Sequence, residues 1–290
     1  MNPLFCAQFR PEFRSLALAC GLVAWSVSAV ADVKPDGGDY QAAPPGTDLL
    51  VVYAQHHSAD SLYARGSKAA GNLDLGLDVG LLRYVHFTRW GDYIVDPQVI
   101  LPFGQQKVGL ADSRTSGIGD VIFGGTLWTI ADMDKGEHLG WSVFFTAPTG
   151  SDKNQGFALS NNRWATDLQV GYVRRFAPRW SVDLIGEVEF YQNQRDTGAR
   201  RDPLLQTHAH LRYHLNDATH FGVSYRHSWG AQDSLDGVAQ TNRRNNGNLT
   251  LSAATFLAPG LQGMLQYSYD TQVQDGPLTR GIQARLVKIF

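Results

Sequence analysis

Three histidines, His208, His210 and His214, stand at i, i+2 and i+6 in a stretch where apolar and polar residues alternate. On a strand that spacing puts all three on one face, where two of them could share a proton or a metal ion. Histidines along a polar face are ordinarily solvated, so no metal is assigned to them. Their charge changes between about pH 6 and 7, which gives a mild pH dependence to whatever that face lines. His227 and Ser228 place a base beside a nucleophile. Adjacent strand residues point to opposite faces, so these two do not make the hydrogen bond that serine catalysis needs. Gly117-Ile118-Gly119 resembles part of a phosphate loop but opens a strand instead of a helix, and Pro148-Thr149-Gly150 reads as a strand-to-loop turn. The chain has no G-x-S-x-G, P-loop, H-E-x-x-H or C-x-x-C motif. No catalytic residue and no cofactor follows from it, and the chain does not read as an enzyme.

The other candidates are charges that recur on one side of alternating segments. Asp74, Asp78, Asp96, Asp120, Asp167, Asp183, Glu187 and Glu189 come from the first half of the pattern. His208, His210, Arg212, His214, Arg226 and Arg285 come from the second.

About twelve segments carry these residues, each alternating over ten or so positions, the length a tilted strand needs to cross a bilayer. Leu73, Leu75, Leu77, Val79 and Leu81 alternate with Asp74, Gly76, Asp78 and Gly80. Leu168, Val170 and Tyr172 stand against Asp167, Gln169 and Gly171, and Val182, Leu184, Gly186 and Val188 against Asp183, Glu187 and Glu189. A soluble sandwich alternates as well, so loop lengths carry more of the decision. Connections at 88–92, 177–179, 216–219 and 258–260 are tight, that at 132–137 is medium, and those at 58–71, 104–117, 149–162, 192–202 and 231–247 are long and polar or glycine-rich. Strict alternation of short turns and long loops is the habit of an outer-membrane barrel. Trp90, Trp128, Trp141 and Trp180 fall beside short turns, and Trp164 and Trp229 beside long loops, as two interfacial girdles require.

The ends of the chain agree. Arg280 to Phe290 is one alternating strand ending on an aromatic residue. Ile282, Ala284, Leu286 and Phe290 share its apolar face, and Lys288 can snorkel from that face to the interface. At the other end Arg10 and Arg14 precede an apolar run from Leu16 to Val27, and Ala29-Val30-Ala31 is a small-residue cleavage site, so residues 1–31 read as a secretory signal peptide. The run of about 12 apolar residues is short of the ~20 that span a bilayer as a helix. Both cysteines, Cys6 and Cys20, lie in that leader, which leaves the exported chain without thiol chemistry. The formal charge of −2 points to no nucleic-acid partner. The expectation is an all-β chain, a transmembrane antiparallel β-barrel of about 12 strands over 47–290 with both termini periplasmic. Residues 32–46, rich in Pro and Gly, either hang in the periplasm or fold into the lumen.

Several quoted stretches also resemble a known family. Asp39-Tyr40-x-Ala42 leading to Pro44-Pro45-Gly46-Thr47, then Leu82-Arg83-Tyr84-Val85-His86-Phe87, Asp96-Pro97-Gln98, Leu101-Pro102-Phe103-Gly104, Gly117-Ile118-Gly119-Asp120, Asn162-Arg163-Trp164 and Ala209-His210-Leu211-Arg212-Tyr213 are similar to the outer-membrane barrel family named for the meta-pathway of phenol degradation. The resemblance covers nearly all of the mature chain. It implies a porin-like or transporter-like protein and supplies no catalytic motif.

The expected function is therefore an outer-membrane channel for passive or facilitated uptake of small molecules, aromatic or hydrophobic ones among them. A receptor or structural barrel presenting long loops is the alternative, and a lipid-modifying hydrolase is a third. The expected partners are outer-membrane lipid, a small-molecule solute and the barrel-assembly machinery, the last through the C-terminal strand. The charged residues above are expected to line the lumen, the two halves either pairing across it or setting up a transverse field.

Overall fold

The computed structural model describes residues 34–151 and 157–290. The leader reading of 1–31, the two cysteines and the middle of the 149–162 loop lie outside the described residues. Alternation becomes twelve long strands: β1 (Asp48–Ala64), β2 (Ser67–His86), β3 (Tyr93–Val108), β4 (Val121–Asp132), β5 (Glu137–Ala147), β6 (Ala165–Ala177), β7 (Trp180–Tyr191), β8 (Leu204–His214), β9 (Thr219–Gly230), β10 (Arg244–Ala258), β11 (Leu261–Gln272) and β12 (Arg280–Ile289). Each pairs antiparallel with its sequence neighbours, and β12 returns to β1, with Leu49 opposite Ile289 and Ser58 opposite Arg280. The sheet is thus closed on itself, so every backbone ladder is satisfied without an edge.

Side-chain burial runs opposite to that of a soluble domain. Leu184, Leu211, Val223, Leu251, Leu265, Ile282 and Leu286 are exposed on the outer face, whereas Asp167, Asp183, Glu187 and Arg212 are buried inside. A contiguous apolar exterior around a polar interior is the arrangement a barrel adopts in lipid. Lys288 lies on that outer face with its Nζ 5.6 Å from the centre of the Phe290 ring.

Tight connections gather at one end, with Gly91, Gly136 and Gly260 at positive φ. At the other end two expected loops are corrected. Residues 58–71 form no loop, because β1 and β2 run through them to a turn at Arg65-Gly66, both in left-handed conformations. In 104–117, β3 continues to Val108, and a short strand, Ser113–Ile118, folds back on it. With 17 and 20 residues, β1 and β2 outrun the ~10 residues that cross a bilayer.

That extra height inverts the wall. Asp74 and Asp78, expected in the lumen, point outward, where Lys107 Nζ reaches Asp74 at 2.5 Å and His56 Nδ1 lies 2.6 Å from Asp78. Inward from the same stretch point Leu73, Leu75, Leu77 and Val79, packed with Ala59, Leu62, Val108, Phe157, Ala158 and Leu159. The outer face there meets water, and the inner face is covered by the returning loop, so the apolar side is the inside. Trp128 is a second correction. It is no girdle residue but is buried in the lumen, where its ring packs on Phe87 and its Nε1 donates to the Tyr40 carbonyl at 3.1 Å.

Candidate functional site: a stoppered lumen

The lumen near the short turns is filled by the chain's own residues 34–47. Three anchors hold them. The first is ionic: Arg285 of β12 contacts Asp36 Oδ2 at 3.0 Å and Asp39 Oδ1 at 2.8 Å through one Nη1, while Arg83 of β2 reaches Asp39 Oδ2 at 3.2 Å. Burial pushes the Asp36 carboxyl up, and Arg285 only partly offsets it. Burial acts on Asp39 as well, but Arg285 and Arg83 outweigh it and hold that carboxyl below its ordinary value.

The second anchor is Tyr40. Its hydroxyl donates to Gln169 Oε1 at 2.8 Å and so accepts from Ser142 Oγ, also at 2.8 Å, because a phenol has one proton to give. Room for its ring comes from glycine. A Cβ on Gly171 would lie 2.3 Å from ring carbons, and one on Gly140 would lie 3.0 Å away. The third anchor is backbone. Gly38 N–H donates to Asp183 Oδ2 at 2.6 Å, and Ala42 N–H donates to His138 Nδ1 at 3.3 Å. The segment leaves through the Gly46 N–H to Phe87 carbonyl bond and turns into β1.

Beyond this floor lies a chamber of about 260 Å³. Lys34, Pro35 and Asp36 form its base. One wall, from β2 to β4, is apolar apart from Arg83 at the floor: Leu75, Leu77, Leu81, Ile100, Pro102 and Ile122. The facing wall, from β8 to β11, is polar, with His208, His210, Arg226, Arg244, Asn246 and Asn248.

Its roof includes Arg201 and Asn242, which lock onto Asp233. Arg201 binds that carboxylate in a fork, Nε to Oδ1 at 2.9 Å and Nη2 to Oδ2 at 2.7 Å, and Asn242 Nδ2 donates to Oδ2 at 2.8 Å. Arg163 Nη1 lies 3.5 Å from the same group. Burial tends to raise the Asp233 pKa, but the Arg201 fork and charge prevail and hold it low.

The expected lumen residues distribute as follows. Asp96, Asp167, Asp183, Glu187, Glu189, His208, His210, Arg212 and Arg285 are buried inside, and Arg226 faces the chamber. His214 bonds Ser181 Oγ at 2.8 Å near the short turns. Pairing is between neighbouring strands instead of across the lumen: Arg212 Nη2 meets Asp183 Oδ1 at 2.8 Å, and His208 Nε2 lies 3.3 Å from Glu187. Asp120 is a correction. It does not face a passage but is fully buried as a loop hub, accepting from Gly150 N–H (2.8 Å), Asn161 N–H (2.7 Å) and Ser160 Oγ (3.3 Å). Sequence reasoning missed Arg83, Asp36, Asp39 and Tyr40. For Arg83 a signal existed, since it shares the inward face of Leu77 and Leu81 and would be a bare charge in lipid if that face looked outward.

A closed barrel, apolar outside, with a polar lumen that its own N-terminal segment fills, defines the fold of a bacterial outer-membrane channel. The chain belongs to the family described as "Putative MetA-pathway of phenol degradation", which matches residues 59–286. It is 32% identical to the COG4313 outer membrane channel from Pseudomonas putida F1, with a TM-score of 0.84 over 89% of this chain and 100% of that one. Two other barrels share the fold alone. They are the transport unit of the autotransporter AIDA-I from Escherichia coli (9% identity, TM-score 0.51, 97% and 99% covered) and the β domain of the Bordetella autotransporter BrkA (14%, 0.50, 85% and 100%). No curated protein matches the chain.

Proposed function

We propose that this protein sits in the bacterial outer membrane as a gated channel for small solutes, aromatic or otherwise hydrophobic compounds among them. The short-turn end and both termini face the periplasm, and residues 1–31 are removed on export. The observation that carries this reading is the chamber closed off by the N-terminal segment. A purely structural barrel needs no chamber between two separately anchored segments. The similarity to the Pseudomonas putida channel supports a conducting role, and the apolar wall of Leu75, Leu77 and Ile100 supports solutes with a greasy face.

The test is reconstitution in liposomes and planar bilayers. The intact chain should show low conductance with brief openings, and removal of residues 34–43 should raise conductance and swelling rates for small solutes. Absence of flux in both forms would refute a channel.

A further inference from the structure

Resting on the channel reading, we infer that the chamber is a binding site for a small amphipathic organic anion, a carboxylate on a single ring or short hydrocarbon body. Two facing walls of opposite chemistry require such a ligand. In a closed ring of twelve strands β3 and β9 stand opposite each other, so Ile100 and Pro102 face Ser224 and Arg226. The apolar side continues through Leu75, Leu77, Leu81 and Ile122. A solute that is polar all round leaves that wall unsatisfied, and one that is apolar all round strands the polar one.

Donor bookkeeping sets the sign of the charge. A guanidinium offers five N–H donors. Among the described residues Arg226 makes one side-chain hydrogen bond, Nη1 to Gln206 Oε1 at 3.3 Å, and Arg244 makes none. Among the described residues neither has a carboxylate within 4.0 Å. The chamber's acids are already engaged. Asp270 accepts from Asn248 Nδ2 at 2.9 Å and from Thr279 N–H at 2.8 Å, Asp275 accepts from Arg65 N–H at 2.8 Å, and Asp36 is held by Arg285. Unspent donors on two partly buried arginines therefore face the cavity, and a planar carboxylate matches a guanidinium fork. The volume, about 260 Å³, lies just under the ~300–1,000 Å³ range of ordinary ligand pockets, which limits the body to about one ring.

The probe is benzoate, with benzamide and benzylammonium as neutral and cationic isosteres. Calorimetry on the detergent-solubilised full chain reads binding whether or not the protein conducts, and liposome flux reads transport. Benzoate should bind at least about tenfold more tightly than benzamide, with no binding of benzylammonium. Arg226→Gln and Arg244→Gln should each weaken benzoate by about tenfold, as loss of a hydrogen bond to a charged group does, while leaving benzamide unmoved. Heat-modified gel mobility establishes that each variant is folded, and Arg226→Lys, keeping charge without the fork, should fall between. Benzamide binding as well as benzoate, no benzoate binding, or unchanged affinity in both folded glutamine variants would overturn the inference. Benzoate binding without flux of any solute would overturn the channel reading instead.

Discussion

The ring of Tyr40 occupies the place of the side chain that Gly171 lacks, a Cβ there falling 2.3 Å from ring carbons. One residue of the floor and one of the wall are thus fitted to each other, and the seal depends on both. Gly171→Val should expel Tyr40, break its bonds to Ser142 and Gln169, and raise open probability in bilayer recordings severalfold. Tyr40→Ala should do the same, and the double variant should open no further than either alone. Additive opening would show that the two do not share one contact.

Arg285 is the common counter-charge of Asp36 and Asp39. Replacing it by Gln leaves Asp39 with Arg83 as its ion-pair partner and Asp36 with the amides of Gln266 and Gln283, and removing one partner of a buried pair costs about 3–5 kcal/mol. That cost falls on the docked segment, since the barrel has its own ladders. Amide hydrogen exchange at residues 36–42 should speed up in R285Q while exchange in β6 and β7 stays slow. Equal protection in both proteins would mean that the ionic anchor holds nothing.

Acid should act through the same pair, with two signs. Asp36 is raised by burial above its ordinary 3.8, so it takes a proton more readily docked than free. As pH falls through that raised value, docking tightens. Asp39 is held below 3.8 by Arg285 and Arg83, so its contribution is present above 3.8 and is lost as pH falls through its lowered value. Open probability should therefore stay low on mild acidification and rise only below about pH 4. Asp39→Asn should abolish the acid-induced rise, and opening centred near pH 6 in that variant would assign the response to histidines.

Ion selectivity separates the two faces of the wall. Asp78→Asn alters an exposed pair outside the barrel and should change stability by about 1 kcal/mol or less, with selectivity unchanged. Asp183→Asn removes a buried lumen charge that holds Arg212 and Gly38, and should shift reversal potentials toward anions. Matching selectivity in the two variants would contradict the assignment of faces.

The roof should yield to Asp233→Asn, which removes the carboxylate that Arg201 and Arg163 share and leaves the two guanidinium groups repelling each other. Proteolysis within 192–202 and 231–247 of protein in intact membranes should become faster while the barrel remains whole. An unchanged cleavage pattern would mean that the cluster does not fasten these loops.

Where one solvent lay on each side, the strands could be read directly. In β5 to β8 and β12 the greasy side is exposed and the charged side is buried within the barrel, the side on which simple alternation puts Asp167, Asp183, Glu187, His208, Arg212 and Arg285. In β2 the rule fails because the strand passes beyond the bilayer. Leu73, Leu75 and Leu77 are greasy toward a covering loop, and Asp74 and Asp78 are charged toward bulk water. Nothing local marks that crossing except Arg83, lower on the same inward face. The floor was illegible for another reason. Asp36, Asp39 and Tyr40 lie in an irregular segment without period, and their partners are supplied by β2, β5, β6 and β12. Asp120 showed its charge but not its task, which depends on a loop returning some 30 to 40 residues later.

The hold of Arg285 on Asp36 and Asp39 ties the beginning of the described chain to its final strand. These aspartates precede their arginine by some 250 residues, so the ionic anchor is incomplete until the seam between β1 and β12 is zipped. The full grip on the floor is in this way a property of the finished cylinder.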